Sequence, residues 1–123
     1  YKLANVPGGF DSAAGFWWWS HVPRAYLRSF LSTLHTRLLP GATVAFVDHL
    51  PYGGFKRRIG ETGDTLEERK LPFGRKVYIV KNFPSEQEVR DALADRGESV
   101  AYVARITENN WEVTYRTISQ QPV

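Results

Sequence analysis

The spacing of polar and apolar positions changes period several times along the chain, and each change marks an element. Phe10 to Trp17 is a short, mostly apolar run after the turn signal Pro7-Gly8-Gly9, broken only by Asp11 and Ser12. A bounded run of this length predicts a buried strand rather than a helix. Pro23 then opens a segment in which Leu27, Phe30, Leu31, Leu34 and Leu38 fall at i, i+3, i+4, i+7 and i+11, one apolar stripe of a helix. Arg24, Arg28, Ser32, Thr33, Thr36 and Arg37 take the other faces, and Pro40-Gly41 reads as the stop. Thr43 to Val47 is a nearly continuous β-branched and apolar run, the pattern of a parallel strand covered on both faces. Strand, helix and strand in this order predict a βαβ unit with a right-handed crossover.

The second half is less regular at first. Residues 51–64 carry four glycines and no apolar period, so a mobile loop is expected there. Residues 65–71 and 76–82 flank Pro72-Phe73-Gly74-Arg75 and predict a β-hairpin, with Glu67-Glu68 on a solvated face. Ser85-Glu86-Gln87-Glu88 has the form of a capping box and starts a helix with Val89, Ala92 and Leu93 inward, ending at Arg96-Gly97. Val100 to Ile106 and Trp111 to Ile118 predict a second hairpin around Glu108-Asn109-Asn110, in which Asn110 supplies a positive φ. Trp111, Val113, Tyr115 and Thr117 alternate with Glu112, Thr114, Arg116 and Ile118, a period of two. Ser119 to Val123 are expected to fray. The order is β-α-β, loop, β-hairpin, α, β-β: an α/β chain ending in an antiparallel hairpin.

Composition narrows the function. The 123 residues suffice for one small domain, and 42% hydrophobic with 24% charged residues is ordinary globular composition. A net charge of +3 and a single dense cluster, Lys56-Arg57-Arg58 in a glycine-flanked loop, argue against nucleic acid as a partner. No cysteine is present, so disulfides, zinc-thiolate sites and thiol nucleophiles are excluded. No apolar run approaches the about 20 residues that span a bilayer, and no signal-peptide pattern opens the chain, so a cytoplasmic protein without a membrane partner is expected. The chain begins at Tyr1 and contains no methionine, which suggests a piece of a longer product.

The candidate chemistry gathers at two strand ends. Three of the four tryptophans are consecutive, Trp17-Trp18-Trp19, and neither a strand nor a helix lets one core face absorb all three. Ser20 and His21 follow them, while Asp48, His49, Leu50, Pro51 and Tyr52 follow the second strand. Ligands of open parallel sheets bind beyond the carboxyl ends of strands, so these residues can share one pocket with aromatic walls, an acid and two histidines. Asp48 and His49, being consecutive, point to opposite faces, so one of them at most enters it. Imidazole chemistry suits His21 to a general base or substrate orienter, with a solvated loop histidine or a helix-start hydrogen-bonder as the alternative. His35, on a helix flank, reads as structural. His21, Asp48 and His49 are metal-ligand residue types, but no close-spaced ligand motif supports a metal.

The stretch GGFDSAAGFWWWSHVPRAYLRSFLSTLHTRLLPGATVAFVDHL resembles the fourth strand, following helix and fifth strand of class I S-adenosylmethionine-dependent methyltransferases. The resemblance is carried by Phe10-Asp11, the small or apolar strand Ala13 to Trp17, His21, Leu34 to Gly41 and Thr43 to Asp48; SHVP-like turns occur in small-molecule methyltransferases. It implies the C-terminal part of a Rossmann-like methyltransferase sheet over residues 1–123, with the hairpin at 65–82 inserted near the substrate. It also implies S-adenosylmethionine as cofactor and a small-molecule methyl acceptor. Phe16, Trp17 and Trp18 would approach the cofactor, Trp19 the substrate, and His21 the methyl-transfer centre. Asp48, His49 and Tyr52 are the further substrate-side candidates, with Tyr78 beyond them.

The family's glycine-rich loop after the first strand and the acid ending the second have no counterpart here, and there is no room for them before Phe10. The expectation is therefore the substrate-side half, inactive alone, with the cofactor-binding half absent from the chain. The rival reading is a non-catalytic α/β binding or assembly module, self-associating through an exposed sheet edge. A hydrolase reading lacks its G-x-S-x-G nucleophile elbow.

Overall fold

The computed structural model describes residues 3–118, and the expected tail of Ser119 to Val123 lies outside them. The chain forms strands β1 (Phe10–Phe16), β2 (Leu38–His49), β3 (Arg57–Ile59), β4 (Thr65–Lys70), β5 (Lys76–Val80), β6 (Gly97–Arg105) and β7 (Asn110–Thr117), with helices α1 (Arg24–Thr36) and α2 (Glu86–Leu93). The main sheet has the order β1-β2-β7-β6. β1 and β2 are parallel, and β7 runs antiparallel to both β2 and β6. Three strands therefore share a direction and the last one is threaded between two of them in reverse. The predicted βαβ unit and terminal hairpin are both present.

Both helices pack on one face of this sheet. Phe30 and Leu31 of α1 and Val89, Ala92 and Leu93 of α2 meet Val44 and Phe46 of β2 and Trp111, Val113 and Tyr115 of β7 in one core. The period of two in β7 is thus real: its odd-numbered residues are buried, while Thr114 and Arg116 are exposed. β2 behaves likewise, burying Ala42, Val44, Phe46 and Asp48 and leaving Ala45 and Val47 half-buried. The expectation of a strand covered equally on both faces is corrected to this one-sided cover. Gly15 of β1 has a packing reason: a Cβ there would meet the Phe46 ring at 2.8 Å.

Four local readings are also corrected. The helix ends at Thr36, and Leu38 begins β2 instead of closing the apolar stripe. Pro40-Gly41 lies inside β2, in an irregularity between the pairs Phe10–Leu38 and Ser12–Thr43. Pro40 has no N–H for the ladder and Gly41 adopts φ 77°, so the pair bulges the strand and does not stop the helix. In the last hairpin Asn109 takes the positive φ, at 58°, in place of Asn110. The loop expected over 51–64 contains β3, which joins β4 and β5 in a second, antiparallel sheet.

The capping box forms as predicted: Ser85 Oγ accepts from Glu88 N at 3.1 Å and Glu88 accepts from Ser85 N at 3.5 Å. His35 is structural. It is buried on α1 with its Nε2 2.6 Å from the Tyr115 hydroxyl of β7. Burial, then the Arg96 charge, lower its pKa from 6.5 to about 4. The folded protein thus binds fewer protons than the unfolded chain between these values, and stability is full above pH 6.5 and falls as the pH drops toward about 4. We expect a loss of roughly 3 kcal/mol from this group, read as a falling urea midpoint, with a shallower pH slope in His35→Leu.

Candidate functional site

The chain leaves β1 through a turn that separates the three tryptophans. Trp17 N donates to Val47 O at 2.9 Å, the last link to β2, and Trp17 then takes φ 58°. Left-handed backbone is uncommon for a bulky residue and costs on the order of 1 kcal/mol. After it the three rings diverge. Trp17 stacks on His49, with centroids 4.4 Å apart and planes 14° from parallel. Trp18 lies against Phe30 of α1 at 4.0 Å. Trp19, in a one-turn 3-10 helix over Trp19–His21, enters the core edge-on to Phe46 and Trp111 at 5.3 and 5.6 Å.

The predicted residues are therefore divided among separate environments. Trp17, His49 and Tyr52 line one open cleft of about 620 Å³ with Glu108, Asn109 and Asn110 of the β6–β7 turn. Phe16 and Trp18 line a different, apolar cavity of about 520 Å³ with Leu3, Ala13, Phe30 and Leu34. Trp19 is only 3% exposed, so the substrate contact expected of it is corrected to a core role. Asp48 is fully buried, so the substrate contact expected of it is corrected to a buried ion-pair role. Its alternation with His49 holds: the acid turns inward and His49 faces the cleft.

Asp48 has a buried partner that composition and spacing did not single out. Lys81, just beyond β5, is 1% exposed and its Nζ lies 3.3 Å from Asp48 Oδ1. Nζ also donates to Ser20 Oγ at 2.9 Å and sits 3.0 Å from His49 Nδ1. Asp48 Oδ2 accepts from Ser20 N at 2.7 Å, and Oδ1 from His49 N at 2.7 Å. Burial, then the Lys81 charge, hold the His49 pKa below its ordinary 6.5 against the opposing pull of Asp48. His21 donates from Nδ1 to the Val80 carbonyl at 2.8 Å, since a carbonyl can only accept. The only sequence trace of Lys81 was a charge following the apolar run of β5.

The second sheet is locked to this site at its base. Asp64 Oδ1 accepts from Arg24 N at 2.8 Å, capping the first turn of α1 from another part of the chain. Asn82 bridges them, donating to Asp64 Oδ1 at 2.9 Å and accepting from Arg24 Nη1 at 2.6 Å. Burial raises the Asp64 pKa, but hydrogen bonds from Arg24, Asn82 and Thr62 outweigh it and leave the carboxyl below the ordinary range. Glu67 corrects the solvated-face expectation: it is fully buried between Arg57 and Arg69, with contacts of 2.8 and 2.6 Å. Arg57 is likewise anchored rather than loose, lying over the rings of Tyr52 and Phe83 at 4.7 and 4.8 Å. Tyr78 stands apart on β5 beneath Arg58. Among the described residues no group of three or more potential ligands could hold a metal ion, and no helix is long and apolar enough to cross a membrane.

The sequence matches no family model and no curated protein, whereas solved structures match its fold. DhpI in complex with SAH is 25% identical with a TM-score of 0.68, over 91% of this chain and 49% of DhpI. A SAM-dependent methyltransferase from Methanosarcina mazei is 17% identical with a TM-score of 0.61, over 93% of this chain and 62% of that one. The Burkholderia thailandensis 1,6-didemethyltoxoflavin-N1-methyltransferase, with 1,6-didemethyltoxoflavin and S-adenosylhomocysteine bound, is 14% identical with a TM-score of 0.56, over 92% and 46%. The chain thus spans about half the length of DhpI and of the Burkholderia enzyme. Its resemblance to S-adenosylmethionine-dependent methyltransferases is borne out, and S-adenosylmethionine is the cofactor of that family.

The buried pair should dominate the stability of the site. Removing one partner strands a buried charge, so Lys81→Met is expected to cost about 3–5 kcal/mol in urea unfolding, and adding Asp48→Asn should recover part of the loss.

Proposed function

On the premise that this fold is the C-terminal half of a class I S-adenosylmethionine-dependent methyltransferase, we propose that the chain forms the substrate side of an enzyme that methylates a small molecule. The cofactor-binding half precedes Tyr1 in this reading, and the chain alone is inactive. The observation that carries it is the pair of environments at the end of β1. The cleft of Trp17, His49 and Tyr52 opens beyond the carboxyl ends of two parallel strands, where ligands of such sheets bind. Beside it, β1 is an edge strand of the main sheet, and the apolar cavity against Phe16 and Trp18 adjoins it. A preceding half would pair with that edge and complete the cavity.

In the assembled site, Phe16 and Trp18 wall the cofactor from the apolar cavity and Trp17 approaches it from the neighbouring cleft; an aromatic face near a sulfonium is favourable by about 0.5–2 kcal/mol. His49 and Tyr52 border the methyl acceptor. His21 carries its Nδ1 proton toward Val80, so its basic nitrogen is Nε2. Transfer needs the acceptor atom, the methyl carbon and the sulfur in line, and holding that alignment is the main catalytic contribution available to a wall of fixed rings. The reading places the enzyme in the cytoplasm.

The second reading, a non-catalytic assembly module, draws on the same edge: Phe10 and Phe16 of β1 are 47% and 63% exposed. Light scattering across a concentration series distinguishes a self-associating module from a monomeric half. The methyltransferase reading is tested by titrating tryptophan fluorescence with S-adenosylhomocysteine. We expect no saturable response from residues 1–123, and a saturable one, weakened at least fivefold by Trp17→Ala, when a cofactor-binding half precedes them. A longer protein that fails to bind sinks the proposal.

A further inference from the structure

The neighbours of His49 decide where its proton sits. An ammonium can only donate, and the three donors of Lys81 face three acceptors: Ser20 Oγ at 2.9 Å, Asp48 Oδ1 at 3.3 Å and His49 Nδ1 at 3.0 Å. Nδ1 must then offer its lone pair, which leaves the ring proton on Nε2. Asp48 Oδ1 is also 3.7 Å from Nδ1. A proton on Nδ1 would serve that contact but would point at the nearer ammonium, so the Lys81 bond prevails. The ring cannot easily turn, because Trp17 is stacked on its face and Tyr52 meets it edge-on at 5.2 Å.

Among the described residues Nε2 has no protein partner, and the ring borders the cleft. The charged groups around it are Lys81 and Asp48 beneath, His21 from the one-turn helix, Glu67 from β4 and Glu108 of the β6–β7 turn, which lines the same cleft. Lys81 and His21 oppose a second proton, whereas Asp48 and Glu67 favour one. Desolvation sides with the first pair.

The geometry points to His49 as a fixed hydrogen-bond donor: Lys81, a positioning residue, holds the ring neutral with its proton on Nε2, and this side of the cleft therefore selects a ligand carrying an acceptor oxygen or an unprotonated ring nitrogen. This also removes His49 from the role of general base, since Nε2 is already protonated and Nδ1 is engaged. His21 has the opposite arrangement, donating at Nδ1 to Val80.

The ligand preference rests on the methyltransferase reading; the proton placement does not. Long-range proton–nitrogen correlation spectra of the protein at neutral pH test the placement directly. The expected result is a neutral His49 ring protonated at Nε2, with its titration midpoint below 6.5. A ring protonated at Nδ1, or a midpoint at 6.5 or above, overturns it. The ligand preference is read in the same spectra with two neutral flat probes, pyridine N-oxide, which only accepts, and pyrrole, which only donates. We expect His49 Nε2 and the Trp17 indole to shift with the first and not the second. Equal shifts, a preference for pyrrole, or no shift with either overturns the preference. Loss of the methyltransferase reading alone would leave the ring signals unchanged.

Discussion

The site depends on one buried charge pair. Asp48 ends the buried face of β2, Lys81 follows β5, and Ser20 lies in the turn after β1. These three segments are distant in sequence and meet because neither charge can be left alone away from water. Ser20 is held through both its backbone N–H and its hydroxyl. That anchorage fixes the one-turn helix carrying Trp19 into the core, and with it the divergence of Trp17 and Trp18 just before. The aromatic lining follows from the electrostatics beneath it.

The same logic explains why the second sheet is not a loose appendage. Its base carries Asp64, Glu67, Lys81 and Asn82, all buried and all paired. Asp64 substitutes for the capping side chain that Pro23 cannot supply at the start of α1. Helix, turn and second sheet therefore depend on one another's polar groups. A buried polar network of this kind specifies one arrangement because partial satisfaction is costly.

Much of the framework was legible in the sequence, since it rests on periodicities that neighbours along the chain express. The stripe through Leu27, Phe30, Leu31 and Leu34, the box at Ser85 and Glu88, and the alternation in β7 each read correctly from local pattern. The misreadings share a cause. Leu38 fits the helical stripe by spacing, but the backbone turns before reaching it, and Pro40-Gly41 is as suited to a bulge as to a stop. Glu67, Arg57 and Lys81 look like surface charges because a charge reads as exposed until its partner is known. Those partners come from other strands. Grouping the tryptophans in one pocket failed because a single positive φ at Trp17 sends consecutive side chains to different sides of the fold.

The second sheet is also uneven from base to tip. At its far end Phe73 is wholly exposed with φ 65°, beside Gly74 at φ 77°, in a turn that buries none of its residues. The base is interlocked with the core, whereas the crown between Lys70 and Lys76 is free to change length and sequence. Natural divergence and deliberate grafting can thus rewrite the crown at little cost to folding, but the base changes only when Asp48, Lys81 and their partners change in concert.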